Sequence, residues 1–575
     1  MRGLCANNVA DDVIVFTQLH SLILQSLPNL IQFFQSESRE GHLFANVSMP
    51  LFNGKIQFPN LEVLELFSLS FTKIWNDQFP ERFYTNKLTR LTVQSCGKLK
   101  NLISYSICKS LVHLKNLEVS DCDIIKEVIG TQESGDKGKL ENICLPNLES
   151  LILLNLPNLN RFCSGNCIEC PSLLKLRIEN CCKLRTFISN STDEPEEMDS
   201  PAKLPLFNDK VNFIFLILSF FTVSKHVTEH SYMFILQVIL ANLEELTVDW
   251  GEVMSEIWHG QSPAASFCKL KVLHLSCSRY KPVVFSIEHI YRLQNLENLC
   301  LSGVLLKEIY CHKGLGAGPA GIPICLSALK LSRLPNLLHL LTEEVQKDKA
   351  FRNLRILDVI RCGRLKSLVP SSMSFQYLTA LRVSECHALK NLLALSTATS
   401  LSQLTRLSIT DCKGIIEIVA NEGGDTNAEI VFDNLKILAL HHLPSLTSFY
   451  SGNSSLKFPC LEKVVVSQCP EMRSFSCGII DSRKVNSIVI EIEKEWIWEH
   501  ENIEWYSEPE NIEWYFEYIE YDKPIKQLWE GDINATVHKL WEDHHPVTAL
   551  QRLFTEADVQ NYEEEACSSS FECRI

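Results

Sequence analysis

The sequence has no excess of basic residues, since 54 Lys and Arg stand against 69 Asp and Glu for a net charge of −15. The excess of acidic residues lies from Glu491 onward, where 22 acidic residues stand against 6 basic ones. The part of the chain before Glu491 is therefore close to neutral. A chain without a basic surplus lacks the release of counterions that drives affinity for nucleic acid. We therefore expect no nucleic-acid partner.

Signatures of catalysis and of cofactor binding are also missing. No G-x-x-x-x-G-K-[ST] motif is present, and the nearest stretch, Gly135-Asp-Lys-Gly-Lys, lacks both the spacing and the Ser or Thr. No hydrolase elbow, kinase signature set or dinucleotide fingerprint appears. The pairs His441-His442 and His544-His545 have no acid or nucleophile at an informative spacing. The chain is predicted to be no enzyme and to need no cofactor.

The N-terminus shows no secretory signal, because residues 1–10 contain no apolar core before Asp11 and Asp12. The 23 cysteines are an odd number, and reduced thiols in the cytosol explain them most simply. We therefore expect a cytoplasmic protein. Glycosylation needs the secretory route, so four sequons are interpreted as chance matches: Asn46, Asn190, Asn453 and Asn534.

Long apolar runs are scarce, and the strongest one begins at Val211 and extends for about 11 residues. A bilayer span needs roughly 20 residues, so no membrane association is expected. Our hypothesis is that residues 211–237 are a translated, retained intron. Lys210-Val211 and the Leu-Gln ending at Gln237 can be encoded with splice-border sequences, and removing the segment joins an ordinary loop to the next strand.

One pattern recurs along the chain: L-x-x-L-x-V/I-x-x-C, without gaps, in seven places. The seven copies are Leu88 to Cys96, Leu114 to Cys122, Leu173 to Cys181, Leu354 to Cys362, Leu378 to Cys386, Leu404 to Cys412 and Leu461 to Cys469. Five sister copies end in leucine instead: Leu19 to Leu27, Leu61 to Leu69, Leu148 to Leu156, Leu326 to Leu334 and Leu435 to Leu443. Weaker copies start at Leu243, Leu270 and Leu296. Most units are about 24 to 34 residues apart, which is typical of leucine-rich repeats.

The alternation within each unit predicts a short strand whose leucines point inward and whose intervening residues face solvent. A free cysteine is a small hydrophobe with a weak S–H donor, so its recurrence where the chain leaves the strand indicates a tight site near backbone. Stacked units bury one another's apolar face. The sequence thus predicts an α/β fold, a leucine-rich-repeat solenoid or horseshoe with a parallel sheet on its concave face and an irregular or helical convex side.

Strand starts and loops are marked as well. In four units a proline stands two residues before the first leucine, where its missing N–H removes no hydrogen bond from the sheet. These prolines are Pro59, Pro146, Pro171 and Pro459. Polar spacers are interpreted as loops on the convex side: 134–141, 190–201 and 421–429.

The repeats resemble those of the coiled-coil nucleotide-binding disease-resistance proteins of plants. Units of the type C-x-x-L-K/R, such as Cys96-Gly-Lys-Leu-Lys and Cys362-Gly-Arg-Leu-Lys, alternate with L-P-x-L units that end in Ile-Trp, Phe-Cys or Phe-Tyr. The segment from Trp529 to Leu540 also looks like the stretch that closes these proteins. The resemblance implies recognition of a pathogen effector or of a guarded host protein, leading to a defence response.

The departure from that family is equally clear. Family receptors carry a coiled coil and a nucleotide-binding switch before the repeats, whereas here the repeats begin by Leu19 and no P-loop precedes them. The resemblance therefore implies the sensor part of an intracellular receptor, with a nucleotide-binding module as a possible partner in trans. Two other classes stay open: an extracellular ligand-binding repeat protein, which would need a signal peptide, and a substrate adaptor of a ubiquitin ligase, which would need a helical segment before the repeats.

We divide the chain into a lead-in (1–18), repeats (19–210), the apolar insert (211–237), further repeats (238–490) and an acidic, aromatic cap or tail (491–575). Within the tail, Glu-Asn-Ile-Glu-Trp-Tyr occurs at Glu501 and again at Glu510. This duplication is either a partner-binding motif or slippage within a cap, and the second interpretation is preferred because the ends of solenoids tolerate insertion.

Zinc is considered for Cys163, Cys167 and Cys170, whose spacing is suggestive. Internal alignment argues against it, because Cys163 occupies the place of Tyr450 and Cys170 that of Phe458, and aromatic residues do not substitute for ligands. No metal is expected.

Candidate contact residues lie between the two inward leucine-type positions, where they would line the concave sheet: Glu65, Glu118, Arg177, His274, Asp358, Arg382 and Ser408. Their mixed charge suits a surface specific for a protein partner. The alternative is that these side chains only keep an exposed sheet face soluble.

Overall fold

A computed structural model describes most of the repeat-containing part of the chain. The described residues are 5–6, 13–30, 32–35, 50–52, 56–75, 85–130, 142–164, 167–189, 206–207, 237–249, 267–277, 283–284, 293–306, 326–340, 351–369, 374–421, 429–491 and 526–545. The chain forms two compact units, Met1–Val304 (unit 1) and Leu305–Ile575 (unit 2).

Unit 1 contains a long sheet of five-residue strands that follow the chain order, each parallel to the next and in register with it. Its described strands are Ser21–Gln25, Val63–Phe67, Arg90–Gln94, Asn116–Ser120, Ser150–Leu154, Lys175–Glu179, Glu245–Asp249, Val272–Ser276 and Asn298–Ser302. Each strand corresponds to one predicted repeat, including the three weaker copies.

Unit 2 repeats the arrangement with another run of parallel strands in register. Its described strands are Ala328–Ser332, Ile356–Ile360, Ala380–Ser384, Arg406–Thr410, Ile437–His441, Lys463–Ser467 and Ile488–Glu491. A short strand, Lys526–Leu528, pairs antiparallel with Ile488–Glu491. Together the two units confirm the predicted leucine-rich-repeat solenoid.

The core lies on the side of the strands that the sequence pattern predicts. In the strand Arg90–Gln94, Leu91 and Val93 are fully buried, whereas the residues between and beside them are half-buried or exposed. Inward residues repeat every second position in the other strands too, although in several of them, such as Ala328–Ser332 and Ile356–Ile360, the outward positions are buried as well. All seven pattern cysteines are buried as well. Each repeat therefore covers the apolar face of its neighbours.

The side opposite the long sheet consists mainly of turns and short strands. In unit 1 these strands are Cys5–Ala6, Ile14–Val15, Phe34–Gln35, Pro50–Phe52, Ile56–Gln57, Lys73–Trp75, Asn101–Ser104, Glu127–Gly130, Ile143–Cys144, Arg161–Ser164, Cys167–Glu169, Ile188–Ser189, Gln237–Ile239 and Val283–Val284. Val304–Leu305 lies at the boundary, and unit 2 has Asn391–Leu393, Glu417–Val419, Ile430–Val431, Ser448–Tyr450, Leu456–Lys457 and Ile480–Asp481. Short helices span Tyr105–Cys108 and Leu395–Ala398, with a 3₁₀ turn at Thr85–Lys87.

Stacked phenylalanines fill the space between the long sheet and these short strands. Phe162 stacks on Phe187 with 4.7 Å between ring centroids, and Phe449 stacks on Phe475 with 4.8 Å. Phe162 and Phe449 thus occupy matching places, which agrees with the internal alignment that puts Cys163 opposite Tyr450. The stacking extends the burial of these repeats beyond the leucines.

A left-handed residue ends the strand region in all twelve repeats that carry the ungapped pattern. The residue before the final Cys or Leu has a φ between 51° and 56° in each of them. These residues are Ser26, Ser68, Ser95, Asp121, Asn155, Asn180, Arg333, Arg361, Glu385, Asp411, His442 and Gln468. Non-glycine residues rarely adopt this conformation, so the same local strain recurs where the chain leaves the sheet in these twelve repeats. In another repeat the equivalent residue is Gly303, whose added Cβ would lie 2.3 Å from the carbonyl oxygen of Cys277.

A helix, Ile533–His544, closes the last described repeat of unit 2. Asp532 caps its N-terminus by accepting a hydrogen bond from the N–H of Ala535 at 2.8 Å. The side chain of Asn534 accepts hydrogen bonds from the N–H groups of Phe475 at 2.9 Å and Ser476 at 3.0 Å. It also donates to the carbonyl oxygen of Ser476 at 2.9 Å. This amide therefore satisfies backbone groups that a further repeat would otherwise bind.

Several predictions fall outside the described residues. They concern the insert, of which only Gln237 is described, most of the three polar spacers, and the duplicated Glu-Asn-Ile-Glu-Trp-Tyr segment. Among the described segments, none of the helices has the length and apolar character needed to cross a bilayer.

Candidate protein-binding surface

The outward-facing residues of the long sheets form continuous rows, because the strands pair in register. The central residue of each strand gives one such line, here named the mid-strand row. In unit 1 it runs Ile23, Glu65, Thr92, Glu118, Ile152, Arg177, Thr247, His274 and Cys300. In unit 2 it runs Lys330, Asp358, Arg382, Ser408, Ala439, Val465 and Val489. All seven predicted contact residues lie in these two rows.

In unit 1 the predicted residues are spread along the row and have different surroundings. Glu65 and Glu118 flank Thr92, are half-buried, and have no ion-pair partner among the described residues. Arg177 instead donates two hydrogen bonds to Glu179 of its own strand, at 3.0 and 3.1 Å. His274 lies near the far end of the row. The two carboxylates are therefore available to an external partner, whereas the charge of Arg177 is already compensated.

In unit 2 the predicted residues are direct neighbours: Asp358, Arg382 and Ser408 occupy three successive strands. Asp358 is only 2% exposed although it points away from the repeat core. The Nε atom of Arg382 lies 4.0 Å from its Oδ1 atom. Neither carboxylate oxygen of Asp358 has a hydrogen-bond partner in the described part of the chain. Buried carboxylates are normally hydrogen-bonded, so this one retains unused acceptor capacity.

Apolar residues that the sequence analysis did not single out lie beside this charged triplet. The first outward positions of three strands form a buried cluster of Ala328, Ile356 and Ala380. Further along the sheet a second cluster comprises Ala439, Val465 and Val489 of the mid-strand row. Alternation alone marks such positions as solvent-facing, so only their apolar character could have revealed them. The side chains of both clusters are at most 4% exposed, so within each cluster they pack against one another on the outward side of the sheet.

The left-handed residues form a second polar row where the strands end. In unit 2, Arg361 donates from Nε to the Glu385 carboxylate at 3.0 Å, and Asp411 contacts His442. The preceding residue, His441, has a buried Nδ1 atom without a hydrogen-bond partner among the described residues. Burial lowers the pKa of His441, although the charge of Asp411 acts in the opposite direction. This imidazole is therefore predominantly neutral.

The recurring cysteines have a structural role at the start of each turn. Each of the seven donates its S–H to the carbonyl oxygen two residues earlier, as Cys122 does to Ser120 at 3.2 Å. Burial raises the pKa of Cys122 and of Cys469 to about 12, so these thiols stay protonated near neutral pH. Their chemistry is that of packed, weakly polar groups rather than of nucleophiles.

Neither a metal site nor a catalytic arrangement emerges from the described residues. No group of three or more His, Cys, Asp or Glu side chains in the described ranges is placed to hold a metal ion. Cys163 and Cys170 are fully buried, and burial raises the pKa of both thiols. His545 stacks on Trp541 at 5.1 Å between ring centroids and caps the C-terminus of the closing helix.

Comparison with known proteins identifies relatives for most of the repeats. The sequence model described as plant disease resistance protein RPS2-like, leucine-rich repeats, matches residues 60–195, 242–375 and 373–482. The disease resistance protein RPS5 of Arabidopsis thaliana is 25% identical over 275 residues, covering 42% of this chain and 30% of the relative. SUMM2 of the same plant is 30% identical over 138 residues, covering 23% and 15%. The chain thus spans less than a third of the length of these relatives.

Among solved structures, the functional domain of InlJ from Listeria monocytogenes, which includes a cysteine ladder, aligns with 71% of this chain and 71% of its own. Its sequence identity is 13% and its TM-score 0.26. The sequence model, by contrast, covers more than half of the chain, and its matches fall on the strands and cysteines described above. The chain belongs to the RPS2-like leucine-rich-repeat family of plant disease resistance proteins.

Proposed function

We propose that this chain is a non-enzymatic scaffold that recognises a pathogen effector, or a host protein that an effector modifies, through the outward face of its long sheets. Family membership supports a recognition role in defence. The observation that carries the proposal is the pair Glu65 and Glu118, two outward-facing carboxylates without an ion-pair partner among the described residues. A partner that presents cationic or hydrogen-bond-donating groups to these two carboxylates would compensate their charge.

An exposed apolar residue of the same row extends this surface. Glu65 and Glu118 are uncompensated carboxylates, and Ile23, two strands away from Thr92 in the same row, is 55% exposed. Uncompensated charge beside exposed apolar surface favours a specific protein partner over simple solubility. A nucleotide-binding module supplied in trans is a further partner under this proposal, since these relatives are far longer than the matched repeats.

The test is a two-hybrid screen of the full chain against libraries of pathogen-secreted and host proteins, followed by calorimetry on purified binders. Glu65→Arg, Glu118→Arg and Ser408→Arg place a bulky cation on the sheet face of one or the other unit. At least one of them should weaken each true interaction by about tenfold or more. Glu417→Arg is the matched control, because Glu417 is similarly half-buried but lies in a short strand on the opposite side. Binders that tolerate all three sheet variants but are lost with Glu417→Arg would overturn the proposal.

We infer a cytoplasmic location for this function. None of the 18 cysteines whose side chains the structure describes forms a disulfide, even where Cys96 and Cys122 lie next to each other in adjacent repeats. Free thiols in such number are typical of a reducing compartment. In addition, the side-chain amide of the sequon residue Asn534 holds Phe475 and Ser476, a geometry that a glycan on its nitrogen would disrupt.

Localisation is tested with a fluorescent fusion in plant cells, together with mass spectrometry of protein extracted under alkylating conditions. We expect cytosolic fluorescence, alkylated cysteines and unmodified Asn453 and Asn534. Secretion of the fusion, or a glycan on the exposed Asn453, would instead favour the extracellular ligand-binding class.

A further inference from the structure

The basic residues of the C-x-x-L-K/R motif line up across the repeats of unit 1. Where the chain turns away from the sheet, the N–H of Lys126 donates to the carbonyl of Lys100 at 3.3 Å. The N–H of Asn160 donates to Lys126 at 2.9 Å, and that of Arg185 to Asn160 at 3.1 Å. These turns carry five cations, here named the basic turn row: Lys98, Lys100, Lys126, Lys183 and Arg185.

All five side chains of the basic turn row are exposed. Lys183 donates to the side-chain oxygen of Asn158 at 2.6 Å, an uncharged partner. The other four have no ion-pair partner within the described ranges. Of the nearby acids, Glu127 pairs with Arg161 at 2.7 Å, whereas Asp121 is half-buried and accepts a hydrogen bond from the uncharged Gln94 at 3.0 Å. Asp123 is the exposed anion on these turns that the structure describes.

The opposite edge of the same sheet is built differently. Just before the strands begin, Lys115 pairs with Glu149 at 2.9 Å and Lys271 pairs with Glu244 at 2.9 Å, each across neighbouring repeats. At that edge the charges of adjacent repeats neutralise one another. On the basic turn row they add up and repel, an arrangement that steers and binds an oppositely charged partner.

We propose that the basic turn row docks an acidic, partly apolar segment of a partner protein. Charge complementarity sets the sign of the partner. Ile124, 44% exposed, lies at the position equivalent to Lys98 in the next repeat and adds an apolar contact. The row has no aromatic side chain on which nucleic-acid bases could stack, so a protein fits it better than single-stranded nucleic acid. This surface is separate from the sheet face. A negative result for the basic turn row would therefore leave the proposed recognition by the sheet face intact.

The test uses the full chain and a synthetic peptide of alternating glutamate and leucine, with binding followed by fluorescence anisotropy. The triple variant Lys100→Glu, Lys126→Glu, Arg185→Glu should weaken binding by about tenfold or more, since each exposed charge pair contributes modestly. Lys126→Arg, which keeps the charge, should bind like the wild type. Added salt should weaken the wild-type complex because exposed charges are screened.

The matched control is Arg352→Glu, Arg355→Glu, Lys436→Glu, which makes the same charge change on exposed residues of unit 2. Unchanged binding in this control, with loss in the first triple variant and unchanged circular dichroism in both, supports the proposal. Equal loss in both triple variants, or no binding by the wild type, would overturn it. Tighter binding to phosphatidylserine-containing vesicles or to oligothymidylate, with the same dependence on Lys126, would also overturn it in favour of a membrane or a nucleic acid.

Discussion

Cys386 donates its backbone N–H to the sulfur of Cys412 in the next repeat, over 3.4 Å. Cys96 and Cys122 form the same contact in unit 1 at the same distance. In both pairs the sulfur also donates, since Cys412 binds the carbonyl of Thr410 at 3.3 Å. A thiol is thus used as acceptor and donor at once, in a space too small for a larger polar side chain.

Replacing Cys412 by alanine should destabilise unit 2. The variant removes the acceptor of the Cys386 N–H and leaves a small cavity at a fully buried site, so we expect a loss of about 1–3 kcal/mol. The measurement is the urea midpoint of unfolding, followed by circular dichroism. Cys268→Ala is the control, because Cys268 is exposed and should change the midpoint little. A midpoint for Cys412→Ala equal to that of the control would refute the structural role.

Alkaline pH should destabilise the fold through the buried thiols. Burial raises the pKa of five of them to about 12: Cys108, Cys122, Cys181, Cys412 and Cys469. In the unfolded chain a thiol loses its proton near pH 9, so the folded state binds more protons above that pH. Stability is therefore complete below about pH 9 and falls by up to ~1.4 kcal/mol per pH unit and thiol above it.

Thermal unfolding at pH 8 and pH 10 measures this dependence. Between pH 8 and pH 10, the melting temperature of the double variant Cys122→Ala, Cys412→Ala should fall less than that of the wild type. Identical pH dependence in both proteins would mean that other groups, not the thiols, control alkaline unfolding.

The left-handed residue that follows the strand in the twelve ungapped repeats allows a direct test of backbone strain. Ser95 is exposed, has a φ of 56°, and its N–H donates to the carbonyl of Ser120 at 3.0 Å. Ser95→Val should cost about 1–2 kcal/mol because β-branched residues avoid this conformation, whereas Ser95→Gly should stay within ~0.5 kcal/mol of the wild type. Arg90→Val, in the extended strand just before, is the control and should be tolerated. A benign Ser95→Val would contradict the conformation.

Mildly acidic pH should destabilise unit 2 through His441. Because burial lowers the pKa of this imidazole, the unfolded chain takes up a proton at higher pH than the folded one does. The stability that His441 contributes is therefore complete above the unfolded pKa of about 6.5 and declines as the pH falls below it. His441→Gln should flatten the melting-temperature profile between neutral and mildly acidic pH, whereas His113→Gln, at an exposed site, should not. A profile unchanged by His441→Gln would show that this histidine is not the group responsible.

The strands could be predicted from sequence because each one depends on a local two-residue alternation that burial reinforces. The pattern located Leu91 and Val93 correctly, and the cysteines were correctly interpreted as packed, backbone-contacting groups. It could not reveal the left-handed residues, since Ser95, Arg361 and His442 share no side-chain chemistry and only the backbone geometry unites them. The helix Ile533–His544 was also missed, because one short helix within an acidic segment leaves no recurring signal.

For the surface, the repeat register correctly placed all seven predicted residues in the mid-strand rows. Which of them have free charges depends on neighbours that only the structure provides, as Arg177 shows by pairing within its own strand and Asp358 by its burial. The apolar cluster around Ile356 was missed because alternation treats every outward position as solvent-exposed. The role of the seven predicted residues in binding stays a prediction.

The antiparallel strand Lys526–Leu528 has a consequence for how such arrays change in length. It occupies the hydrogen-bonding edge of Ile488–Glu491, which would otherwise offer a template for another strand. An additional repeat could not be appended at that edge without displacing it. Gain or loss of repeats elsewhere in the array is compatible with this closure, and two copies of the chain cannot polymerise by adding sheet to sheet at that edge.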